Sequence, residues 1–340
     1  MTSPLLSTPG AVSAESPDSG IAAHYGDPSH EGRAVERSSA WVDRSNRGVV
    51  RVSGPDRLGW LNDLTSQLTT GLAPGTGTEA LVLDTRGHLR HHLCLVDDGE
   101  ATWIHTEPGD GPGLAGFLDS MRFMLRVEVE DLSDSRAVLT VLGPDRAKVV
   151  GAVALDDVPA RATEGEIDLL LPADRLTGAA EALTEAGARP AGMWAYEANR
   201  IAEHRVRPGL DTDDRTIPHE VDWVGRAVHL EKGCYPGQET VARVHNLGRP
   251  PRRLVMLHLD GTAERLPEVG AALELDGRAV GRVGTSARHH ELGPIALGVV
   301  RRAVPTEADL VVDGIAAGQE VVVDPDTGAN AQINLRRRPR

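Results

Sequence analysis

The sequence predicts an α+β protein: two similar mixed lobes followed by a small β-barrel. Three observations carry this. The string Gly54-Pro55-Asp56-Arg57 returns as Gly143-Pro144-Asp145-Arg146. Each copy follows an apolar strand-like run and precedes a helical one, which marks an internal structural repeat. From about Arg252 the texture changes to short alternating runs separated by turns rich in Gly, Pro and Asp, as in a closed all-β unit. The chain has 340 residues, enough for two or three such units and a substantial core.

In chain order, residues 1–39 are rich in Ser, Pro, Gly and Ala without periodicity, which predicts a disordered tail. Residues 40–245 form the α+β region. Gly48–Val52 reads as a strand, Asp56 as an N-cap, and Arg57–Leu64 as a helix with Leu58, Leu61 and Leu64 on one stripe. Glu79–Asp84 and Leu89–Val96 form a hairpin around Thr85-Arg86-Gly87-His88. Its neighbours His91 and His92 point to opposite faces, so they cannot easily share a metal ion. Ala101–Thr106 is a strand, Gly113–Leu125 a helix, and Arg126–Leu132 a strand. Gly111–Gly116 fits a dinucleotide spacing, but Pro112 removes a backbone donor, so a plain helix start explains it better. Val138–Leu142 and Ile167–Leu171 are strands, and Asp174–Ala186 and Ala191–Arg205 are helical. Residues 246–328 form the barrel, with strands at Leu254–Leu259, Ala272–Leu275, Ala279–Thr285, Ile295–Val300, Leu310–Val312 and Glu320–Val323. Residues 329–340 are a basic tail.

Composition narrows the function classes. Hydrophobic residues make up 40% but aromatics only 3%, so Leu, Val and Ala fill the core. The net charge of −14 argues against direct nucleic-acid binding, which needs a basic surface. No apolar run has the length of a membrane span, and the N-terminus lacks signal-peptide character. Two cysteines, Cys94 and Cys234, exclude a disulfide scaffold and fit a reducing cytoplasm. Cys94 lies in an apolar run, where core filling is the plainest reading.

Glu231 to Arg243 concentrates the remaining chemistry. Tyr235-Pro236-Gly237-Gln238 reads as a tight turn, with Pro fixing φ and Gly taking the positive φ that a type II turn needs. Ala227–Leu230 reads as the end of a strand. An extended chain then places Lys232 and Cys234 on one face, where the lysine favours the thiolate. The alternative is that Cys234 is a small apolar filler and Lys232 a solvated charge. Gly233 allows close approach of a ligand or another backbone.

The octet Lys232-Gly233-Cys234-Tyr235-Pro236-Gly237-Gln238-Glu239 resembles the signature of YgfZ-type folate-binding proteins, relatives of the glycine-cleavage aminomethyltransferase. The Trp60-Leu61 helix, Arg200-Ile201, Ile217-Pro218-x-Glu220, and Gly281, Gly284, Gly298 and Arg301 carry the resemblance over roughly residues 45–325. It implies a three-lobed ring of two interleaved α+β lobes and a C-terminal barrel around a central cavity that binds tetrahydrofolate. It also implies a role in assembling or repairing iron–sulfur clusters in client enzymes, including tRNA-modifying ones, with client enzymes or cluster-assembly proteins as partners. Cys234 and Lys232 are then the reactive pair. Gly233, Tyr235, Gly237, Gln238 and Glu239 hold the motif or orient the folate. Arg243 contacts the folate's glutamate tail or forms an ion pair. The acidic pair of the aminomethyltransferases is replaced by His91-His92. The pterin-binding Glu after an Arg-Leu pair falls on Ala202, leaving Glu203 or Glu197 to substitute beside Arg200. Whether the chain is an enzyme stays open. A folate-dependent one-carbon transferase and a scaffold with a vestigial cavity are the alternatives.

Overall fold

The computed structural model describes residues 2–155 and 157–328. Two five-stranded sheets and a closed six-stranded barrel make up the fold. The first sheet runs Gly77–Leu83, Leu89–Asp97, Ala101–Pro108, Arg47–Ser53, Glu128–Asp131, all antiparallel. The second runs Ala160–Ala162, Glu166–Pro172, Arg136–Leu142, Ala40–Asp43, Arg189–Ala191, and only the last strand joins in parallel. Ala40–Asp43 precedes every strand of the first sheet yet pairs in the second, so the lobes are interleaved. Helices α1 (Pro28–Arg37), α2 (Arg57–Leu64), α3 (Gly111–Ser120), α4 (Arg146–Val150), α5 (Leu176–Glu185), α6 (Met193–Ala202) and α7 (Gln238–Asn246) cover and connect the sheets.

The four-residue repeat has a physical reason. Gly54 and Gly143 sit at φ 105° and 97°. A Cβ at either would collide with a backbone carbonyl, that of Arg126 or Ser38. The strand-to-helix turn therefore takes only Gly in both lobes. Asp56 is not a side-chain cap. Its carboxylate instead accepts the Arg126 guanidinium at 3.0 and 2.7 Å and the Arg126 N–H at 2.9 Å.

Residues 2–39 are not a tail, which corrects the expectation from composition. Val12–Ser13 pairs with Ala22–His24, and α1 follows, capped where the Asp27 carboxylate accepts the His30 N–H. Leu5 and Ile21 are buried, as are Ala34 and Val35 on α1. These apolar residues are too few to show a period, and they are anchored by strands and by α5 and α6, which lie far along the sequence. The 329–340 tail lies outside the described residues. Helix α3 ends earlier than its apolar spacing suggests. The Met121 carbonyl accepts from Trp60 Nε1, and Phe123, at φ 50°, stands 92% exposed.

The barrel order is Arg252–Leu259, Gly293–Arg301, Arg278–His289, Ala272–Leu275, Leu310–Val312, Ile315–Val321. The last strand begins and ends earlier than its sequence pattern suggests. Alternation along the strands serves two cores. Val255, Leu257, Val283 and Ala296 fill the barrel. Leu254, Met256, Ile295 and Leu297 face outward onto Leu81, Leu83, Ile201, Trp223 and Tyr235. Fully burying one such side chain is worth roughly 1.5–3 kcal/mol, so this second core binds the barrel to the lobes.

Candidate functional site

Where the two sheets and α6 converge, the apolar core gives way to charge. A narrow cavity of about 40 Å³ there is lined by Arg44, Arg47, Glu79, Glu107, Glu166 and Arg207, with Tyr196, His92 and Trp223 as aromatic walls. Neighbouring strand residues Arg161, His105 and Asp168 complete the network. Arg161 donates to Asp168 at 2.8 Å and Glu79 at 3.1 Å, and His105 Nε2 lies 3.0 Å from Asp168 Oδ2. Asp168 also accepts from Thr140 at 2.7 Å. Arg207 takes the Asp18 carboxylate bidentately at 2.7 and 2.9 Å, so the N-terminal segment contributes a buried acid to this chamber. Burying charges is costly unless they are paired and hydrogen-bonded, as these are.

The electrostatics follow from pairing. Burial works to raise the carboxyl pKa of Glu79, but His92, Arg161 and Arg226 outweigh it and hold the group well below its ordinary range. Glu107 is held down in the same way, against its burial, by Arg47 and Arg207. Burial pulls the His105 imidazole down to about 4 despite Asp168, so it is neutral near pH 7. Burial pushes the Cys94 thiol up to about 11. Cys94 is thus buried filler, as its run suggests, although it also lines the chamber. His92 Nε2 bonds Glu79 Oε2 at 2.9 Å and stacks on Trp223 at 5.2 Å. His91 instead faces Asp110 at 2.9 Å, so the pair is split between two sites.

Beside the cavity lies a depression of about 570 Å³, sharing Glu79, Glu166, Arg205 and Arg226 with it and adding Arg161 and Glu203. Arg205 bonds Glu166, while its Nη2 has no hydrogen-bond partner among the described residues. Its Nε lies 2.8 Å from Glu203 Oε2 but is misaligned for a hydrogen bond. This rim therefore has unmet donor capacity.

The anticipated pterin-side residues separate clearly. Glu197 has no free carboxylate: Arg200 takes it at 2.9 and 2.5 Å, and Arg207 at 3.1 Å. Arg200 is 1% exposed and also donates to Asp211 at 2.8 Å and to Thr285. Arg200 is a strut between α6 and the barrel, and Glu197 is held between Arg200 and Arg207. Glu203, 43% exposed at its side chain, lines the depression. Ala202 is absent from the depression and lines a neighbouring groove that Glu203 also borders.

The motif stands elsewhere. No strand leads into it; among the described residues only an isolated Val224–Val228 bridge forms. Lys232 and Cys234 consequently do not share a face. Lys232 is 7% exposed, donating to the Asn62 and Thr65 carbonyls at the end of α2, with its ammonium 4.6 Å from the Tyr235 ring centre. Burial pulls its pKa down to about 8, partly opposed by Asp63 and Cys234. Cys234 is exposed. The turn is the anticipated one: Gln238 N–H donates to the Tyr235 carbonyl at 3.2 Å, and Gly237 has φ 81°. A Cβ on Gly237 would lie 2.6 Å from the Asp84 carbonyl oxygen, so the motif seats against the first-lobe hairpin turn. Gln238 Nε2 donates to the Lys232 carbonyl at 3.2 Å, closing the loop. Gly233 is exposed, with open space at its missing Cβ. Glu239 is exposed in the first turn of α7, where an acid suits the helix dipole. Arg243 is exposed on α7, with no side-chain ion pair among the described residues. One loop links the two places, because Trp223 and Arg226 line the chamber eight to eleven residues before Cys234.

The chamber's ionic residues were missed from sequence. Arg44, Arg47, Arg161, Arg205, Arg207, Glu107 and Glu166 carry no local motif. Asp168 alone left a signal, as a lone acid inside the apolar run Ile167–Leu171.

Residues 22–165 match the GCVT N-terminal domain family. A probable aminomethyltransferase of Natronomonas pharaonis is 29% identical, over 78% of this chain and 80% of that protein. A mitochondrial iron-sulfur cluster assembly factor IBA57 homolog of Mycosarcoma maydis is 27% identical, over 70% of this chain and 62% of the relative. The crystal structure of glycine cleavage system aminomethyltransferase T from Bartonella henselae superposes with a TM-score of 0.80 at 18% identity, covering 96% of this chain and 97% of that one. That likeness establishes the fold. No helix among the described residues is long and apolar enough to cross a membrane. The chain thus carries a match to the GCVT N-terminal domain over residues 22–165 and has the fold of the glycine cleavage system aminomethyltransferase T.

Proposed function

We propose that this chain is a tetrahydrofolate-binding accessory protein that supports iron–sulfur cluster assembly or repair in client enzymes, tRNA-modifying ones included, with Cys234 as its reactive group. The observation that carries the reading is the division of labour along one loop. Trp223 and Arg226 line the interior chamber, while Cys234 is presented at the surface on a fixed turn. A thiol serving small-molecule chemistry belongs inside the cavity. An exposed thiol on a rigid support can be reached by a protein partner. The similarity to an iron-sulfur cluster assembly factor supports the same reading.

The residues present suit the folate. The 570 Å³ depression is within the ~300–1,000 Å³ of small-molecule sites. Glu203 offers a carboxylate for the paired N–H donors of a pterin, and Arg205 and Arg226 offer guanidinium groups for carboxylates. Arg205 Nη2 has the unmet donor such a ligand would satisfy. Tetrahydrofolate supplies nitrogen atoms that carry a one-carbon unit. Glu197 and Arg200 act indirectly, by fixing α6.

Aminomethyl transfer is the weaker reading. The resemblance puts His91-His92 where the aminomethyltransferases carry an acidic pair, and Glu79 beside His92 is clamped by His92, Arg161 and Arg226. A carboxylate so held is a poor proton carrier near pH 7. In cells lacking the native protein, Cys234→Ala should fail to restore a client iron–sulfur enzyme while wild type restores it. Full restoration by Cys234→Ala would sink the assigned role of the thiol.

A further inference from the structure

On the side of α6 away from the ionic chamber, α1 and the barrel turn that follows His289 enclose a second cavity of about 270 Å³, which shares Glu203 with the depression. At its mouth Glu36, from α1, meets His290 and Glu291, from the turn. One ligand-type atom from each of the three lies within 4.8 Å of the others, the one such set among the described residues. We propose that Glu36, His290 and Glu291 form a binding site for a divalent transition cation, clipping α1 to the barrel.

The geometry supports a built site rather than a casual surface cluster. The His290 side chain is only 5% exposed, and its Nε2 is directed at Glu36 Oε2 at 2.7 Å. The other ring nitrogen is packed against α1 at Gly32, where a Cβ would sit 2.9 Å from Nδ1. The ring is therefore set by packing, with Nε2 facing the carboxylates. One imidazole and two carboxylates suit Zn²⁺ and its first-row neighbours. Three protein ligands leave coordination positions for water on the cavity side, the open pattern of exchangeable sites.

A cation already compensates these acids. Arg37, with a side chain 64% exposed, donates to Glu291 Oε1 at 2.6 Å and places Nε 3.9 Å from Glu36 Oε2. A solvated arginine arm can swing away, so it competes with the metal as a displaceable counter-charge. The three ligands come from segments 254 residues apart, and binding would hold α1 and the barrel turn together across the groove beside α6.

The test uses full-length, untagged, chelator-treated protein titrated with Zn²⁺ by calorimetry and by thermal unfolding. Wild type should take up one equivalent with a saturable rise in Tm. His290→Ala and Glu291→Gln should each weaken uptake at least about tenfold. Arg37→Ala should tighten it, because the competing cation is gone. Far-UV circular dichroism checks that each variant folds, and Glu291→Gln stands in if His290→Ala does not. No saturable uptake by wild type, uptake unaltered in the folded ligand variants, or weaker uptake in Arg37→Ala would each overturn the site.

Discussion

Replacing Lys232 by Met separates two roles that the sequence leaves entangled. If the lysine works as a strut on α2, its loss acts on stability. The ammonium donates to the Asn62 and Thr65 carbonyls and packs on Tyr235. Two charge-assisted hydrogen bonds are worth ~1.5–3 kcal/mol each. The cation–π contact adds ~0.5–2 kcal/mol. Against this stands the burial of the charge. A pKa lowered from 10.5 to about 8 corresponds to a penalty of ~3 kcal/mol on the charged form. The net cost of Lys232→Met is roughly 1–4 kcal/mol at pH 7, since two buried carbonyls also lose their donors. The pH dependence has a definite sign. The folded-state pKa lies below the unfolded one, so the unfolded chain binds the extra proton between about pH 8 and 10.5. Stability conferred by Lys232 therefore rises across that window and is flat below it. Urea unfolding of both proteins at pH 7 and pH 10 should show a gap that widens by ~2–3 kcal/mol at the higher pH. Equal stability at pH 7, or a gap that narrows as pH rises, would refute the strut.

Other outcomes follow from the same geometry. Native protein treated with iodoacetamide near pH 7 should lose one thiol, Cys234, with Cys94 reacting only on unfolding, and peptide mapping identifies the label. Gly237→Ala should cost roughly 1–3 kcal/mol, because the residue holds φ 81° and its Cβ would press on the Asp84 carbonyl; urea midpoints measure this. His219 is buried with neither ring nitrogen hydrogen-bonded to a described residue, and burial pulls its pKa down to about 4. Its unfolded form binds the proton first, so stability falls as pH drops from about 6.5 to 4. His219→Leu should flatten that acid limb in thermal melts, and an unchanged slope would count against the assignment.

What could be read from sequence depended on whether the signal was local. Gly54 and Gly143 were legible because a strand-to-helix turn with positive φ restricts the residue type at that point in the chain. Gly237 was legible for the same reason. The barrel strands could be read by their alternation. Residues 2–39 could not, because Leu5 and Ile21 gain their burial from strands and helices far along the sequence. The face shared by Lys232 and Cys234 failed because it assumed an extended run, and the chain instead turns at Val224–Val228 to let Ala227 accept the Ser66 hydroxyl. The chamber was the least legible part. A buried arginine has the same letter as a solvated one, and only the tertiary fold shows that Arg161 and Asp168 face each other. Of the folate-side positions, the motif supplied Glu203 and Glu197 as equals, and it took the pairing of Glu197 with Arg200 and Arg207 to separate them.

The most direct test of the account is calorimetric titration with tetrahydrofolate, under anaerobic and reducing conditions, of wild type, Cys234→Ala and Glu203→Gln. The account predicts saturable binding of equal affinity by wild type and Cys234→Ala, because the thiol lies outside the cavity. It predicts at least about tenfold weaker binding by Glu203→Gln, the loss of a charged hydrogen-bond acceptor. Absence of saturable binding by wild type, or binding abolished in Cys234→Ala and intact in Glu203→Gln, would contradict it.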